Sequence, residues 1–539
     1  MRSLCGCRWW MIGVVALSAC AVPISPDPRP NILLIVADDL GYADLGAYGS
    51  DIRTPNIDAL AREGMLFTQF HTSPLCAPTR AMLLSGNNNH VAGVGRMNAT
   101  GPVQLHLPGY ETHLSNRIAP LPRLLSKAGY HTYTAGKWHL GNEKEYSPTA
   151  AGFERSFNLM HGGANHFNSV GFGEGVSLYR EDGREVPWPN GAYSTDLYTD
   201  RLIEFIDAKR NDGRPFFAFA AFTSPHWPLQ VPEQDLDLYA GRYQEGYDRL
   251  REERFASLQK AHIVPEGSTL PPRNPGVRPW SELPPDQQRI ESRKMQLYAA
   301  MVENLDRHVG KLIDHLKTAG LYEKTIIIFM SDNGAAGEDF FYVGPFRNFL
   351  QSHYDNSYEN MGRPTSFISY GPQWAEAGSA PFSRYKGYSR EGGIVAPMII
   401  AGAGVSSHGV LNRSYVTVMD IAPTLLQIAN AKYPVDGSVR PMLGETMVPL
   451  LSGTASAVHD STYVTTLYHA GHAFIRQGRW KLSNLEPPFD ESEFQLFDIE
   501  SDPGETTNLA AVERERFMTL IRLWREQRLR LGIVLPGDL

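Results

Sequence analysis

Runs of consecutive apolar residues that end in polar side chains recur along the chain. Three of them are NILLIVADDLG at 31–41, RPFFAFAAFTSPHWPL at 214–229 and TIIIFMSDNG at 325–334. A strand buried on both faces of a sheet gives such a continuous run rather than an alternating one. Between residues 295 and 316 the apolar positions recur instead at helical spacing, and Gly320 follows as a C-terminal cap. Strands that alternate with helices predict an α/β fold, with a large, mainly parallel sheet flanked by helices.

A second region begins near residue 456, where the long apolar runs give way to short ones separated by turns. Short antiparallel strands are predicted for STYVTTLYHAGHAFIRQGRWKLSNL and EFQLFDIESDPGETTNLA. A final helix is expected over 513–531. We therefore expect a large domain over 31–455 and a small α+β domain with an antiparallel sheet over 456–539.

The first 30 residues predict export. Basic residues precede the apolar run WWMIGVVAL, which is shorter than the roughly 20 residues that span a bilayer core. This is the pattern of a signal peptide rather than an anchor helix. Leu-Ser-Ala-Cys at 17–20 resembles the bacterial lipobox, so we expect a lipoprotein signal peptide over 1–19, lipidation of Cys20 and a proline-stiffened tether over 20–30. The protein would then be a periplasmic or cell-surface lipoprotein of a bacterial envelope. Cleavage after Ala21 is the alternative.

The composition excludes one class of partner. The 539 residues are 42% hydrophobic, which allows a large core, and their formal net charge is −8. The sequence has no basic run of the kind that binds nucleic acid. We therefore expect a membrane contact only through the N-terminal lipid.

Cys76 has no expected disulfide partner. The chain has 4 cysteines, of which two lie in the signal peptide and Cys20 is expected to carry lipid. Pro78 is favoured in the first turn of a helix, so a helix should begin at or just after Cys76. The helix N-terminus attracts anions, and Arg80 lies one turn further along. The pattern indicates an anion site with a reactive side chain, although a lone cysteine also serves as a small buried apolar residue.

Polar side chains stand where the predicted strands end. Asp38 and Asp39 follow the first strand, Asp332 and Asn333 follow the last, and His226 follows the middle one. Ligands of open α/β sheets bind at the carboxyl ends of strands. The aspartates and the asparagine offer oxygen donors, which suit Ca²⁺ or Mg²⁺ better than zinc. An Asx turn after each strand is the structural alternative.

Two longer motifs carry a resemblance to a known family. Residues 76–86, CAPTRAMLLSG, resemble the sulfatase signature C-x-P-x-R followed by an apolar pair and glycine. Residues 129–141, GYHTYTAGKWHLG, resemble the second sulfatase signature. Further stretches in the order of the family are DDLG at 38–41, the SPHWP loop, SDNG at 331–334 and RYKGYSREGG at 384–393. From about residue 31 to the C-terminus, the chain resembles calcium-dependent bacterial arylsulfatases of the formylglycine type.

The resemblance implies a fold, an activity and two cofactors. The fold is alkaline-phosphatase-like, and 31–455 is the catalytic domain. The activity is the hydrolysis of sulfate monoesters, most often aryl sulfates, to an alcohol or phenol and sulfate. A separate formylglycine-generating enzyme oxidises Cys76 to formylglycine. One Ca²⁺, or less often Mg²⁺, is held by Asp38, Asp39, Asp332, Asn333 and a hydroxyl of modified residue 76.

The resemblance also implies roles for the basic side chains. Arg80 and Lys137 hold the formylglycine and the sulfuryl oxygens. His139 takes the proton of the second hydroxyl of the hydrated aldehyde. His226 and Lys386 bind sulfate and protonate the leaving oxygen. With neutral histidines, the three carboxylates, three basic side chains and divalent ion carry a net charge of +2, which attracts sulfate and phosphate esters alike.

Several alternatives remain open at the level of sequence. A formylglycine-dependent phosphonate or phosphodiester hydrolase shares these motifs, and a lipid-anchored calcium-dependent binding protein would need only the aspartates. Outside the motifs, four histidines are predicted to be structural: His71, His90, His131 and His469. His90, just after the predicted helix, is the strongest candidate among them for a functional role. The aromatic-rich stretch 353–378 is expected to form either a flat apolar subsite or a covering loop.

Overall fold

The computed structural model describes residues 27–97, 106–173 and 175–539. The predicted signal peptide and Cys20 lie outside these residues, so export and lipidation stay predictions. Within the three ranges, no helix combines the length and the apolar character that a membrane span requires.

The strands form a large mixed sheet, a two-stranded sheet and a four-stranded sheet. In chain order they are β1 Asn31–Ala37, β2 Met65–Phe67, β3 Phe70–His71, β4 His131–Lys137, β5 Arg155–Leu159, β6 Tyr179–Glu181, β7 Arg184–Glu185, β8 Phe216–Ala221, β9 Thr325–Ser331, β10 Met398–Gly402, β11 Val410–Asn412, β12 Val416–Thr417, β13 Val464–His469, β14 His472–Gln477, β15 Trp480–Ser483 and β16 Gln495–Asp498.

The large sheet is parallel at its centre. Its ten strands run in the order β11-β2-β10-β9-β1-β8-β4-β5-β6-β7. The five strands from β9 to β5 are mutually parallel, whereas β10 and β6 pair antiparallel with their inner neighbours. β1, β8 and β9 are buried along their whole length, as their continuous apolar runs predict.

Helices cover this sheet. In chain order the α-helices are α1 Pro55–Glu63, α2 Cys76–Ser85, α3 Asn89–Ala92, α4 Leu121–Lys127, α5 Pro148–Ala151, α6 Ser194–Lys209, α7 Gly246–Lys260, α8 Pro285–Thr318, α9 Arg347–His353, α10 Gly371–Gly378, α11 Glu391–Ile394, α12 Ile421–Ile428, α13 Val448–Leu451 and α14 Arg514–Leu531. α8 begins before the apolar repeat that predicts it, because its first turn is largely exposed and carries no buried stripe.

The C-terminal region is built around the antiparallel sheet β13-β14-β15-β16. Helix α14 packs its apolar face on this sheet, where Trp524 is fully buried beside Leu496 and Ile475. A buried cluster of polar side chains joins this sheet to α11 and to the two-stranded sheet, since Lys481 Nζ on β15 lies 2.7 Å from Glu391 Oε1 on α11, and Glu391 Oε2 lies 2.9 Å from His71 Nε2 on β3. The predicted fold class is confirmed in both parts.

Candidate active site

Four neighbouring parallel strands end at one edge of the large sheet. In β9, β1, β8 and β4, adjacent in that order, the residues that follow each strand are brought together. Ala37 pairs with Ser331, so Asp38 and Asp332 follow at the same level. Lys137 is the last residue of β4. The sheet topology thus explains why polar residues far apart in sequence share one site.

Each of three buried carboxylates has a lysine or arginine side chain within 3 Å. The Nζ atom of Lys137 lies 2.7 Å from Asp38 Oδ2, and the Nζ atom of Lys386 lies 2.8 Å from Asp39 Oδ2. Arg80 Nη2 lies 2.8 Å from Asp332 Oδ2, while Arg80 Nη1 donates to the carbonyl of Lys137 at 3.0 Å. Because a buried charge is costly unless it is paired, these contacts keep three carboxylates ionisable in a dry site.

The pKa values in the cluster reflect these contacts. Burial raises the pKa of Asp39, but Lys386 and His226 counteract it and hold the pKa at about 2. Burial and the neighbouring Asp38 raise the pKa of Asp332 to about 6. Burial lowers the pKa of Lys386, yet Asp39 and Glu338 raise it well above its usual range. Lys386 is therefore a protonated ammonium group within the site.

The donor atoms of this cluster fit a hard divalent cation. Ligand atoms of Asp38, Cys76 and Asp332 all lie within 4.8 Å of one another. Asp38 Oδ1 and Asn333 Oδ1 are buried and have no hydrogen-bond partner among the described residues. Buried oxygens without partners are rare in folded proteins, and a cation would satisfy both. The Nδ2 atom of Asn333 donates to Asp39 Oδ1 at 2.7 Å, which turns its carbonyl oxygen away from Asp39.

The backbone at the site is held in an uncommon conformation at two positions. Asp39 has φ 66° and His139 has φ 58°, both in the left-handed region that side chains other than glycine rarely adopt. Such conformations persist where the surrounding structure enforces them, and they concentrate at functional sites. They aim the two side chains into the site from the turns after β1 and β4.

Cys76 is the first residue of α2 and is buried, with 2% of its surface exposed. Its Sγ atom lies 3.6 Å from Nδ1 of His139. Burial raises the pKa of the thiol, so the unmodified residue is a poor thiolate nucleophile. Burial and the cations around it lower the pKa of His139 well below its usual value, and the neutral ring can accept a proton from residue 76.

His226 is held in one tautomer by its neighbour. Its Nδ1 atom lies 2.6 Å from the carbonyl oxygen of Trp227, so Nδ1 carries the proton and Nε2 is the free acceptor of the neutral ring. Nε2 lies 3.4 Å from Asp39 Oδ2. Burial lowers the pKa of His226 to about 3.

All ten active-site residues proposed from the sequence fall within this one network of contacts. They are Asp38, Asp39, Cys76, Arg80, Lys137, His139, His226, Asp332, Asn333 and Lys386. The four other histidines lie elsewhere: His71 contacts Glu391, His90 packs on Tyr110, His131 lies between Glu154 and Asp212, and His469 accepts from the backbone of Met97.

A cavity of about 430 Å³ opens onto Cys76, His139, His226 and Lys386. Its apolar walls come from residues that the sequence reasoning did not single out. They are Leu75, Met97, Phe172, Val176, Trp227, Phe340, Pro345 and Phe346, with the carboxylate of Glu338 among them. The aromatic stretch 353–378 does not line this cavity. Phe367 and Tyr354 from that stretch pack behind Phe172 and Trp227 instead, as a supporting layer.

The family model described as Sulfatase matches residues 30–431, and the one described as N-sulphoglucosamine sulphohydrolase, C-terminal, matches residues 385–528. The chain belongs to the sulfatase family. An arylsulfatase of Klebsiella aerogenes is 38% identical over 443 residues, which cover 81% of this sulfatase and 93% of the relative. An uncharacterized sulfatase of Schizosaccharomyces pombe is also 38% identical, over 95% of both chains.

Solved structures agree with the fold. The crystal structure of Ps i-CgsB in complex with k-i-k-neocarrahexaose has a TM-score of 0.67 at 25% identity, over 93% of this sulfatase and 92% of that chain. The phosphonate monoester hydrolase of Agrobacterium radiobacter, at 19% identity and a TM-score of 0.56, shares the fold alone. The enzyme class expected from the sequence, a sulfuric ester hydrolase, is confirmed by the family and its relatives. The alternative of a protein that only binds calcium is therefore not supported.

Proposed function

We propose that this sulfatase hydrolyses aryl sulfate monoesters to a phenol and sulfate, with formylglycine at position 76 and one Ca²⁺ in the oxygen-donor cluster. The observation that carries the proposal is the placement of Cys76. Its side chain lies at a helix N-terminus, 3.6 Å from a neutral histidine and within 4.8 Å of the ligand atoms of Asp38 and Asp332. Lys386 and His226 line the same cavity as Cys76.

The two cofactors would supply chemistry that the twenty amino acids lack. A hydrated formylglycine offers two hydroxyls on one carbon, one to attack sulfur and one to release sulfate, and Ca²⁺ offsets the negative charge of the carboxylates and of the ester. Asp38, Asp39, Asp332 and Asn333 are the residues that would hold the ion.

The basic side chains of the site have distinct roles in the reaction. Arg80 and Lys137 fix Asp332 and Asp38 through ion pairs, and their positive charges interact with residue 76. His139 accepts the proton of the hydroxyl that expels sulfate, because its ring is neutral and directly faces residue 76. Lys386 and His226 contact the sulfuryl and leaving oxygens, where negative charge develops during cleavage of the ester bond.

Mass spectrometry and paired kinetics test the proposal directly. In active protein from the native host, peptides that contain residues 74–80 are expected to carry an aldehyde instead of a thiol. The specificity constant for an aryl sulfate is expected to exceed that for the matched aryl phosphate and phosphonate esters. An unmodified thiol in fully active protein would refute the proposed nucleophile. Preference for the phosphorus esters would favour the hydrolase of phosphonates or phosphodiesters instead.

Calcium is expected to stabilise the folded protein measurably. A ligand at 100 times its dissociation constant adds about 2.7 kcal/mol to the free energy of unfolding, so Tm should rise when Ca²⁺ is added to chelator-treated protein. Asn333→Ala removes one of the unpartnered oxygens and should reduce this rise. Asn211→Ala, at an exposed position, should not. A Tm that is independent of Ca²⁺, or a larger rise with Mg²⁺, would contradict the proposed ion.

A further inference from the structure

The cavity carries a carboxylate that the chemistry of sulfate release does not use. Glu338 lies shortly after β9 and lines the cavity, with 28% of its side chain exposed. Its Oε1 atom is 3.9 Å from Lys386 Nζ, a cation that already contacts Asp39 at 2.8 Å. Its Oε2 atom has no hydrogen-bond partner among the described residues. Glu338 thus shares Lys386 with Asp39, which lies closer to the ammonium group.

A carboxylate in this position disfavours the anionic end of any sulfate ester. The sulfuryl group must lie near residue 76, Lys386 and His226, and a second negative charge beside it lowers affinity by repulsion. Glu338 therefore gives an advantage only toward the other end of the substrate, the alcohol that leaves. An alcohol with a positive charge would compensate Glu338 within the cavity.

The walls around Glu338 have the faces that attract cations. Trp227 and Phe340 lie 5.1 Å apart at an interplanar angle of 82°, and Phe340 and Phe346 lie 5.5 Å apart at 84°. Phe172 packs on Trp227 at 4.6 Å. Trp227 already faces one ammonium group, because Lys386 Nζ lies 5.8 Å from the centroid of its ring, and the faces of such rings bind ammonium groups in general. The aromatic walls and the carboxylate of Glu338 thus both favour an ammonium group.

We propose that the preferred substrate is a sulfate ester whose phenol or alcohol carries an ammonium group, recognised by Glu338 and the aromatic walls. The inference rests on the proposed sulfate ester hydrolysis and names its substrate class. Glu338 determines specificity, and no bond or proton of the reaction passes through its carboxylate.

The test compares matched esters on the mature enzyme. The pair is 4-(2-ammonioethyl)phenyl sulfate and the neutral 4-propylphenyl sulfate, which have side chains of similar length. The wild-type enzyme is expected to favour the cationic ester by about tenfold or more in kcat/KM, and Glu338→Gln is expected to remove most of that preference. Glu359→Gln makes the same chemical change at an exposed position outside the cavity, so its preference should match that of the wild type.

The possible outcomes separate this inference from the proposed function. Equal kcat/KM values for the two esters in the wild type, or an undiminished preference in Glu338→Gln, would overturn the inference. Equal preference for 4-(2-hydroxyethyl)phenyl sulfate would overturn the assignment of a positive charge and indicate recognition of a hydrogen-bond donor. Failure of the wild type to hydrolyse any of the esters would instead refute the proposed function. If Glu338→Gln does not fold, competitive inhibition of the wild type by the two free phenols decides the question, with tighter binding of the ammonium phenol expected and equal binding contradictory.

Discussion

Cys76→Ser is expected to become trapped as a sulfated protein, and Cys76→Ala is expected to lose activity altogether. A serine hydroxyl at the start of α2 occupies the same place as the cysteine side chain and can attack the sulfur of the substrate. It has no second hydroxyl on the same carbon, so the sulfate has no route out by expulsion. Loss of an essential nucleophile costs about 10⁶-fold in kcat in enzymes where it has been removed.

Intact-mass measurement after incubation with an aryl sulfate distinguishes the two variants. Cys76→Ser should gain the mass of one SO₃ group with release of about one equivalent of phenol, whereas Cys76→Ala should gain nothing. Both variants should fold, because each replaces a small side chain at the first position of a helix, where serine is well tolerated. Steady turnover by Cys76→Ser would contradict the need for two hydroxyls on one carbon.

The sequence predicts the catalytic half of the site because that half follows directly from the sheet. Continuous apolar runs identify β1, β8 and β9 as buried strands, and the polar residues after such strands must meet at one edge. Asp38 and Asp332 could thus be paired from residue patterns alone. Lys386 has no such pattern and was placed by its motif, although the structure brings its Nζ atom to 2.8 Å from Asp39.

The half of the site that contacts the leaving group could not be predicted in the same way. Phe172 and Phe346 lie in segments without a regular period, and their approach depends on how these loops pack over the ends of the strands. The stretch 353–378 is rich in aromatic residues, yet its rings support the wall from behind. The signal that the sequence did offer was an acidic residue beside aromatic ones in GEDFFYVGPF. Assigning this acidic residue to the active site requires knowing that the preceding SDNG motif ends there.

The leaving oxygen needs a proton, and two side chains of the site are candidates to supply it. Lys386 and His226 both face the cavity, but their hydrogen-bonding states differ. The neutral ring of His226 carries its proton on Nδ1, which is occupied by the carbonyl of Trp227. Lys386 is held as a cation by Asp39 and Glu338 and has protons to give. We therefore infer that Lys386 is the main donor to the leaving oxygen.

Lys386→Ala is accordingly expected to slow the enzyme most for esters with poor leaving groups. A positioned acid contributes about 10²–10⁴-fold, so kcat for phenyl sulfate should fall within that range, while kcat for 4-nitrophenyl sulfate should fall far less because nitrophenolate leaves without a proton. His226→Ala should show a weaker dependence on the pKa of the leaving group. Lys311→Ala, at an exposed ion pair on α8, is the matched control and should behave as the wild type.

The dependence of kcat on the leaving group distinguishes a residue that donates the proton from one that only positions its neighbours. Loss of Lys386 also leaves Asp39 without its closest cation, and that change acts on ion binding regardless of which phenol departs. A purely positioning role would therefore lower kcat for both esters by the same factor, and added Ca²⁺ would restore much of it. Equal losses of kcat for phenyl and 4-nitrophenyl sulfate would show that the leaving oxygen does not depend on the ammonium group of Lys386. His226 or water would then be the proton donor.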